Sequence, residues 1–360
     1  MKGVTNMSFF ENPIISKMSD HAHEQVVFCQ DKNTGLKAII AIHSTVLGPS
    51  LGGVRMLSYK NELEAIQDVL RLSEAMTYKA SISGLNLGGG KAVIIGNSKK
   101  EKSKALFRKF GQFIESLGGK YIVAEDVGIS TKDIEYIKME TAHVSGLPES
   151  KGGGGDPSPK TAYGVYMGMK ACAKECFGND SLESKRIVVQ GAGHVGTHLV
   201  KWLVKEKATV IVSDVDDEKI KKLVKRYHVE SVGVNDVYDL ETDIYSPCAL
   251  GATLNNNTLS RLRCSIITGA ANNQLANEEI HGKMVMEKGI LYAPDFVINA
   301  GGLINCYSEV IGYSKEYVFG EVENIYNSVL KIIKKSKKDN LPSYLIAKRI
   351  AQKRLERAKK

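Results

Sequence analysis

A strand that breaks into Gly191-Ala-Gly193-His-Val-Gly196 constrains the fold of this chain more than any other stretch. The strand is Arg186-Ile-Val-Val-Gln190. A helical pattern from Val195 to Lys205 follows the glycines, then a second apolar run, Ala208-Thr-Val-Ile-Val-Ser213, ends on Asp214. A lone GxGxxG says little, but strand, glycine turn, helix, strand and an acid about twenty residues on form the full context of a dinucleotide-binding βαβ unit. Gly191 makes the turn, Gly193 lets a pyrophosphate reach backbone N–H groups, and Gly196 lets helix pack on strand. The helix N-terminus adds donors and a favourable dipole. Gly191, Gly193, His194, Val195 and Gly196 are therefore the expected cofactor loop. Asp214 would accept ribose hydroxyls and repel a 2′-phosphate. Asp216 and Asp217 follow and no arginine is adjacent, so NAD is expected rather than NADP. The fold class of this half is α/β, a doubly wound Rossmann-type sheet.

Three later runs fit the same sheet. Asp243-Ile-Tyr-Ser-Pro-Cys-Ala-Leu-Gly251, Ser265-Ile-Ile-Thr-Gly-Ala-Ala-Asn-Asn-Gln274 and Ile290-Leu-Tyr-Ala-Pro294 each stop at small, polar or proline residues. Parallel strands deliver loops to the ligand edge of an open sheet in this way. Asn272 or Asn273 could hydrogen-bond a carboxamide there, with a plain turn an equal reading for either alone.

The first half centres on Lys79-Ala-Ser-Ile-Ser-Gly-Leu-Asn-Leu-Gly-Gly-Gly-Lys91. Lys79 ends a helical pattern carried by Leu63, Ile66, Leu70, Ser73 and Met76/Thr77, and Lys91 opens the apolar run Ala92-Val-Ile-Ile95. The three glycines read as a tight loop that would aim both cations at one point. Asp126 arrives at the end of Tyr121-Ile-Val-Ala124. The plainer alternative is a surface ion-pair cluster beside a mobile loop. Upstream, Gln25 to Gln30 and Lys37 to His43 read as a hairpin, and Leu47-Gly-Pro-Ser-Leu-Gly-Gly-Val-Arg55 as a second glycine-rich turn. Helices are expected over about 61–78, 100–117 and 130–140, the second closed by Gly118-Gly119 and the third opened by a Ser130/Asp133 capping box.

A chain of 360 residues favours two domains. The strongest boundary signal is Ser150-Lys-Gly-Gly-Gly-Gly-Asp-Pro-Ser-Pro159, read as a hinge beside a cleft rather than a disordered linker. This gives 1–149 as a substrate-binding and oligomerisation domain with a mixed sheet, 150–330 as the NAD domain, and 331–360 as a basic helical tail returning to the first domain. The tail holds twelve Lys/Arg against two acids, which leaves the rest of a +9 chain near neutral. With Tyr344 its only aromatic and no nucleic-acid motif, it reads as a solvated helix face. Cys29, Cys172, Cys176, Cys248, Cys264 and Cys306 do not form a disulfide-like framework, which fits a reducing, cytoplasmic setting. Cys172 and Cys176 share a helix face without a second ligand pair nearby, so no metal site is expected. No apolar run is long enough to span a membrane, and Met1 to Phe10 lacks a signal-peptide pattern.

Taken together, these motifs resemble the amino-acid dehydrogenase family that contains glutamate, leucine, phenylalanine and valine dehydrogenases, most closely its leucine-specific branch. The carriers are Leu51-Gly-Gly-Val-Arg-Met56, Met76-Thr-Tyr-Lys79, Gly84-Leu-Asn-Leu-Gly-Gly-Gly-Lys91, Ala124-Glu-Asp-Val-Gly128, the Gly191–Gly196 loop, Pro247-Cys-Ala-Leu-Gly251 and Val297-Ile-Asn-Ala-Gly-Gly302. The resemblance implies reversible NAD-dependent oxidative deamination of an L-amino acid to its 2-oxo acid and ammonia by a homo-oligomer. It assigns Lys79 to the substrate α-carboxylate, Lys91 to water activation and Asp126 to proton exchange with the substrate nitrogen. Thr161 and the Asn272-Asn273 pair fall where the family places groups near the nicotinamide, and Asn299 joins the cofactor-binding set.

By the same resemblance the substrate side chain meets Leu51, Gly52, Ala124, Leu303 and Cys306. Glutamate-specific relatives carry a lysine at the position of Leu51, which cannot neutralise a buried carboxylate. An aliphatic side chain follows, leucine first, with phenylalanine still open, because one methylene is worth only about 1–3 kcal/mol of discrimination. Leu303 and Cys306 stand where valines are usual, Asn272 replaces an aspartate and Asp156 an asparagine. A non-catalytic NAD sensor, or a nucleic-acid binder using the tail, is the competing reading.

Overall fold

The computed structural model describes residues 14–359, so Met1 to Phe10, read above for a leader, lie outside the described residues. The chain divides into two compact units. One runs up to Thr77 and from Asn86 to Val144; the other comprises Tyr78–Leu85 and Ser145 onward.

The first unit contains α1 (Ile14–Asp20), β1 (Gln25–Asp31), β2 (Leu36–Ser44), β3 (Ser50–Leu57) and most of α2 (Glu62–Ile82). It continues with β4 (Gly88–Ile95), α3 (Lys104–Glu115), β5 (Tyr121–Glu125) and α4 (Thr131–Lys138). Its strands form a mixed sheet in the order β1-β2-β4-β3-β5. β1 and β2 make the expected hairpin and β2 runs antiparallel to β4, while β3 is parallel to both β4 and β5. Ala65, Ile66, Val69 and Leu70 of α2 bury themselves against Ile39, Ala41 and Val93 of the sheet. That apolar stripe gives α2 its position. Ser103 caps α3 by accepting from the Leu106 N–H, and Ser130 with Asp133 caps α4 reciprocally.

Both glycine runs expected as turns are strand interiors. Leu51-Gly52-Gly53 lies within β3 and Gly88-Gly89-Gly90 within β4. The reason is close approach rather than turning. A Cβ on Gly89 would stand 2.2 Å from the Thr77 nitrogen, so α2 rests directly on β4 backbone there. A Cβ on Gly90 would stand 2.7 Å from the Tyr121 ring, whose hydroxyl donates to the Gly52 carbonyl at 2.8 Å. Side chains at these positions would push helix and ring off the sheet.

The second unit opens with α5 (Ser158–Phe177), β6 (Arg186–Gln190), α6 (His194–Lys205), β7 (Thr209–Ser213), α7 (Asp217–Tyr227) and β8 (Glu230–Ser231). β9 (Ile244–Pro247), α8 (Asn256–Arg261), β10 (Ile266–Ile267), α9 (Glu278–Glu287) and β11 (Leu291–Tyr292) follow. Four more helices complete it: α10 (Asp295–Ile298), α11 (Gly301–Val310), α12 (Lys315–Glu323) and α13 (Ile325–Asp339), before the terminal α14 (Ser343–Ala358). All paired strands are parallel, in the order β11-β10-β9-β6-β7-β8. This is the doubly wound arrangement, with its switch point between β6 and β9.

The basic tail is two amphipathic helices. α13 buries Ile325, Val329, Ile332 and Ile333, and α14 buries Tyr344, Ile346, Ala347, Ala351 and Leu355. Their cations face outward or pair, as Lys337 does with Glu175 at 3.0 Å. Arg354 donates to the carbonyls of Ser81, Gly84 and Leu85, at the C-terminal end of α2, where a cation is favoured. Those residues are grouped with the second unit.

The stretch from Ser145 to Asp156 is tied down. Glu309 of α11 accepts N–H bonds from Gly146 (2.9 Å), Leu147 (3.4 Å) and Gly154 (2.8 Å). Buried Lys160 donates to the carbonyls of Gly154 (2.8 Å) and Asp156 (3.4 Å). The division between units falls upstream, at Val144/Ser145.

Candidate active site

Lys91 lies inside β4, with Ala41 of β2 as register partner, and is only 6% exposed. An ammonium so placed must be paired. It donates to Oδ2 of Asp126, the residue that follows β5. Arg55 of β3 donates to the same oxygen, from Nε at 3.2 Å and Nη2 at 3.1 Å. The other oxygen, Oδ1, accepts the Val127 N–H at 2.7 Å. Behind Arg55 stands Asp68 of α2, which accepts from Arg55 Nη1 at 3.0 Å, the Tyr59 hydroxyl at 2.9 Å and Arg71 at 2.9 Å. Five charges of alternating sign thus run from Lys91 through Asp126, Arg55 and Asp68 to Arg71.

The electrostatics follow from burial. Desolvation lowers the Lys91 ammonium below its ordinary value, and Asp126 only partly offsets this. Burial alone would raise the Asp126 carboxyl, but the Lys91 and Arg55 cations overcome it and hold it down to about 2. The charged form of Lys91 is therefore disfavoured, beside a carboxylate that stays ionised. Arg55, Asp68 and Tyr59 had no assigned role from sequence. An arginine inside an otherwise apolar strand was the available signal, because such a cation needs a partner.

Leu51 and Ala124 are buried on β3 and β5 of the same sheet, and Gly52 pairs in register with Val123. Leu303 and Cys306 belong to the second unit, three residues apart on α11, with Ser145 donating to the Cys306 carbonyl. Lys79 lies in the last turn of α2, in the part grouped with the second unit, and reaches Asn272 Oδ1 at 3.4 Å. Asn299 donates to that oxygen at 2.7 Å and to the Ala270 carbonyl at 3.1 Å, while its own Oδ1 is buried without a partner among the described residues. Asn273 has a positive φ and its carbonyl accepts from Ala252, so it shapes the turn. Thr161 donates to the Pro157 carbonyl, and Gly302 stands close to its hydroxyl.

The glycines between β6 and α6 separate into two kinds. A Cβ on Gly191 would meet Ala249 N at 2.7 Å, and one on Gly196 would meet the Gly191 carbonyl at 1.9 Å, so packing of the chain itself requires both. A Cβ on Gly193 would meet nothing within 4 Å. Its smallness serves no packing among the described residues, and this fits a loop kept open for a diphosphate at a helix N-terminus. His194, exposed, and Val195 begin that helix. Asp214 also braces the turn: its oxygens accept the N–H groups of Ala192 at 2.6 Å and Asp216 at 2.9 Å, each retaining capacity to accept a hydroxyl. Among the described residues no cluster of His, Cys, Asp and Glu is arranged to hold a metal ion, and none of the six cysteines is in a disulfide. No helix among the described residues is long and apolar enough to cross a membrane.

Comparison with known proteins gives concordant matches. Residues 23–143 match the family model for the Glu/Leu/Phe/Val dehydrogenase dimerisation domain, and residues 212–360 that for glutamate/leucine/phenylalanine/valine dehydrogenase. A shikimate/quinate 5-dehydrogenase model matches residues 171–247, which span the glycine loop. Leucine dehydrogenase of Thermoactinomyces intermedius is 53% identical over 96% of this chain and 94% of its own length. Phenylalanine dehydrogenase of Caldalkalibacillus thermarum is 45% identical over 93% and 92% respectively. The crystal structure of L-tryptophan dehydrogenase from Nostoc punctiforme superposes with a TM-score of 0.84 at 43% identity, covering 96% of this chain and 99% of that one.

Proposed function

Because the chain belongs to the glutamate/leucine/phenylalanine/valine dehydrogenase family of amino-acid dehydrogenases, we propose that it carries out NAD-dependent, reversible oxidative deamination of an aliphatic L-amino acid, leucine first. The products are the 2-oxo acid and ammonia. The observation that carries this reading is the buried Lys91–Asp126 pair with its apolar neighbours Leu51 and Ala124.

In this reading the Lys79 ammonium takes the substrate α-carboxylate. Asp126 accepts hydrogen bonds from the substrate amino group, which puts Cα in line for reaction. When bound over Gly193, the nicotinamide cofactor supplies the acceptor for the hydride that leaves Cα. Lys91, neutral, takes a proton from water as the oxygen attacks the resulting iminium carbon, and it then steadies the oxygen of the carbinolamine. Asp126 takes up a proton from the substrate ammonium before the hydride leaves and returns it to the departing nitrogen, and ammonia carries off the hydroxyl proton as the carbonyl forms. Asn272 and Asn299 hold the carboxamide side of the cofactor, with Thr161 beside them, and Asp214 takes the ribose hydroxyls.

Leu51, Gly52, Ala124, Leu303 and Cys306 offer the substrate side chain no charge, so a carboxylate-bearing substrate would lose its hydration without compensation. An aromatic substrate is the second reading, favoured by the similarity to phenylalanine and tryptophan dehydrogenases. The first unit is proposed to mediate self-association. A nucleic-acid role finds no support in α13 and α14, whose apolar faces are buried and whose lysines form an ordinary solvated face.

The test is a spectrophotometric amino-acid panel with NAD and NADP. Leucine, valine and isoleucine should produce NADH fastest, and glutamate should produce none. Wild-type protein that binds NAD but oxidises no amino acid would reject the reading; equal use of NADP would reject the role given to Asp214.

A further inference from the structure

Two cations meet at one carboxylate oxygen in the first unit, and only one of them is of a kind whose charge burial can remove. Asp126 Oδ2 receives Lys91 Nζ and two nitrogens of Arg55. A guanidinium stays protonated across the accessible range, whereas a buried lysine does not. Two donors on one oxygen also bring their cations to within about 6 Å of each other. We propose that Arg55 is a positioning residue of the deamination: it balances the charge of Asp126 so that Lys91 is the member of the cluster that gives up its proton, and Asp68 sets how strongly it does so. This rests on the reading of Lys91 as the base.

The argument is one of charge balance. An unaccompanied carboxylate against Lys91 would hold it as an ammonium, because an opposite charge within about 4–6 Å favours the charged form. Arg55 shares that carboxylate and adds a second positive charge nearby, so the ionised form of Lys91 is disfavoured. Arg55 is itself fixed by Asp68, which also holds the Tyr59 hydroxyl and Arg71. Asp68 draws off part of the field that Arg55 exerts. The charged groups facing Lys91 are Asp126 beyond β5, Arg55 of β3 and Asp68 of α2, acting with alternating sign. Removing Arg55 and removing Asp68 must therefore move Lys91 in opposite directions. A purely structural role for either residue predicts no such pair of signs.

The experiment titrates Lys91 in the NAD-loaded protein by trace competitive acetylation with acetic anhydride, quantified on the Lys91 peptide by mass spectrometry. The pH profile of kcat/KM for leucine oxidation is measured alongside. Arg55→Gln should raise the Lys91 midpoint by on the order of one to two pH units, leaving about ten- to hundredfold less neutral amine below the midpoint. Arg55→Lys should restore most of that shift, and Asp68→Asn should lower the midpoint. The acidic limb of kcat/KM, along which activity rises as Lys91 loses its proton, should move with the acetylation midpoint in each variant. Midpoints that stay put, or that move the same way in Arg55→Gln and Asp68→Asn, overturn the proposal, as does a loss of kcat/KM by one factor at every pH. Should Arg55→Gln not fold, Asp68→Asn still carries the opposite-signed prediction. Should the wild-type protein oxidise no amino acid, the deaminase reading fails while the acetylation midpoints still decide the charge-balance claim.

Discussion

Adding one methyl group at Gly193 should leave stability intact and damage cofactor binding. The residue has φ −72° and ψ −169°, an extended conformation that any L-amino acid adopts. An added Cβ meets nothing among the described residues within 4 Å. Gly→Ala at a compatible position usually stabilises by about 0.4–1 kcal/mol through the unfolded chain, so Tm should hold or rise by roughly 1–3 °C. Binding is another matter. A diphosphate must come within about 2.9 Å of the N–H groups that open α6, and the methyl would occupy its approach. Losing one charge-assisted hydrogen bond costs roughly 1.5–3 kcal/mol, so Kd for NADH should rise about ten- to hundredfold. Fluorescence titration with NADH and calorimetric unfolding measure the two quantities separately. Gly196→Ala is the contrasting variant: its Cβ would lie 1.9 Å from the Gly191 carbonyl, so it should lower Tm as well as binding. An unchanged Kd in Gly193→Ala would show that no phosphate lies over this residue. A fall in Tm matching that of Gly196→Ala would show that the position is not open.

Lys91→Met should cut kcat for leucine oxidation by about 10²–10⁴-fold, the usual worth of a positioned proton-transfer group, while NADH titration shows unchanged cofactor affinity. His23 is only 8% exposed, its Nδ1 is buried without a partner among the described residues, and burial pushes it down from 6.5 to about 4. Its neutral ring supports the fold fully above pH 6.5, and that support, about 3 kcal/mol, is lost as pH falls toward 4. Urea unfolding at pH 7 and pH 4.5 should show this loss in the wild type and a smaller one in His23→Gln. Glu309→Gln weakens three N–H bonds to a charged acceptor, each worth about 1.5–3 kcal/mol. Limited proteolysis within Gly152–Gly155 should accelerate about three- to tenfold if half of one such bond is lost.

What could be read from the sequence was what local chemistry determines. The strand, glycine loop, helix, strand and Asp214 of the second unit were legible because Gly196, which packs on the Gly191 carbonyl, and Asp214, which accepts from Ala192, act within one βαβ unit, although Gly191 is needed by Ala249 beyond it. The pairing of β1 with β2 was legible for the same reason, since a short connection leaves adjacent strands little choice. The glycines of β3 and β4 misled, because glycine in isolation signals a turn, whereas the partners that require it, Thr77 and Tyr121, lie on other elements. β8, β10 and β11 are two residues each and give too little alternation to read. That Lys91 and Asp126 would approach each other was nameable, but the part of Arg55 and Asp68 in the same cluster was not. Arg55 meets Asp126 across 71 positions of sequence, and nothing local announces that contact.

The same contacts bear on why the cluster exists at all. A buried ion pair is seldom the most stable filling for its volume; apolar residues of similar size usually do as well or better. Here the first unit places an ammonium inside a strand of its sheet and then surrounds it with a carboxylate, a guanidinium and a second carboxylate. Glycines thin β3 and β4 at the level where these chains meet, at a cost in strand stability. Every one of these choices works against the fold taken alone. The one property they jointly produce is a lysine whose charged form is disfavoured, next to a carboxylate that stays ionised. Stability does not account for that combination, whereas proton transfer at a carbon–nitrogen bond requires it.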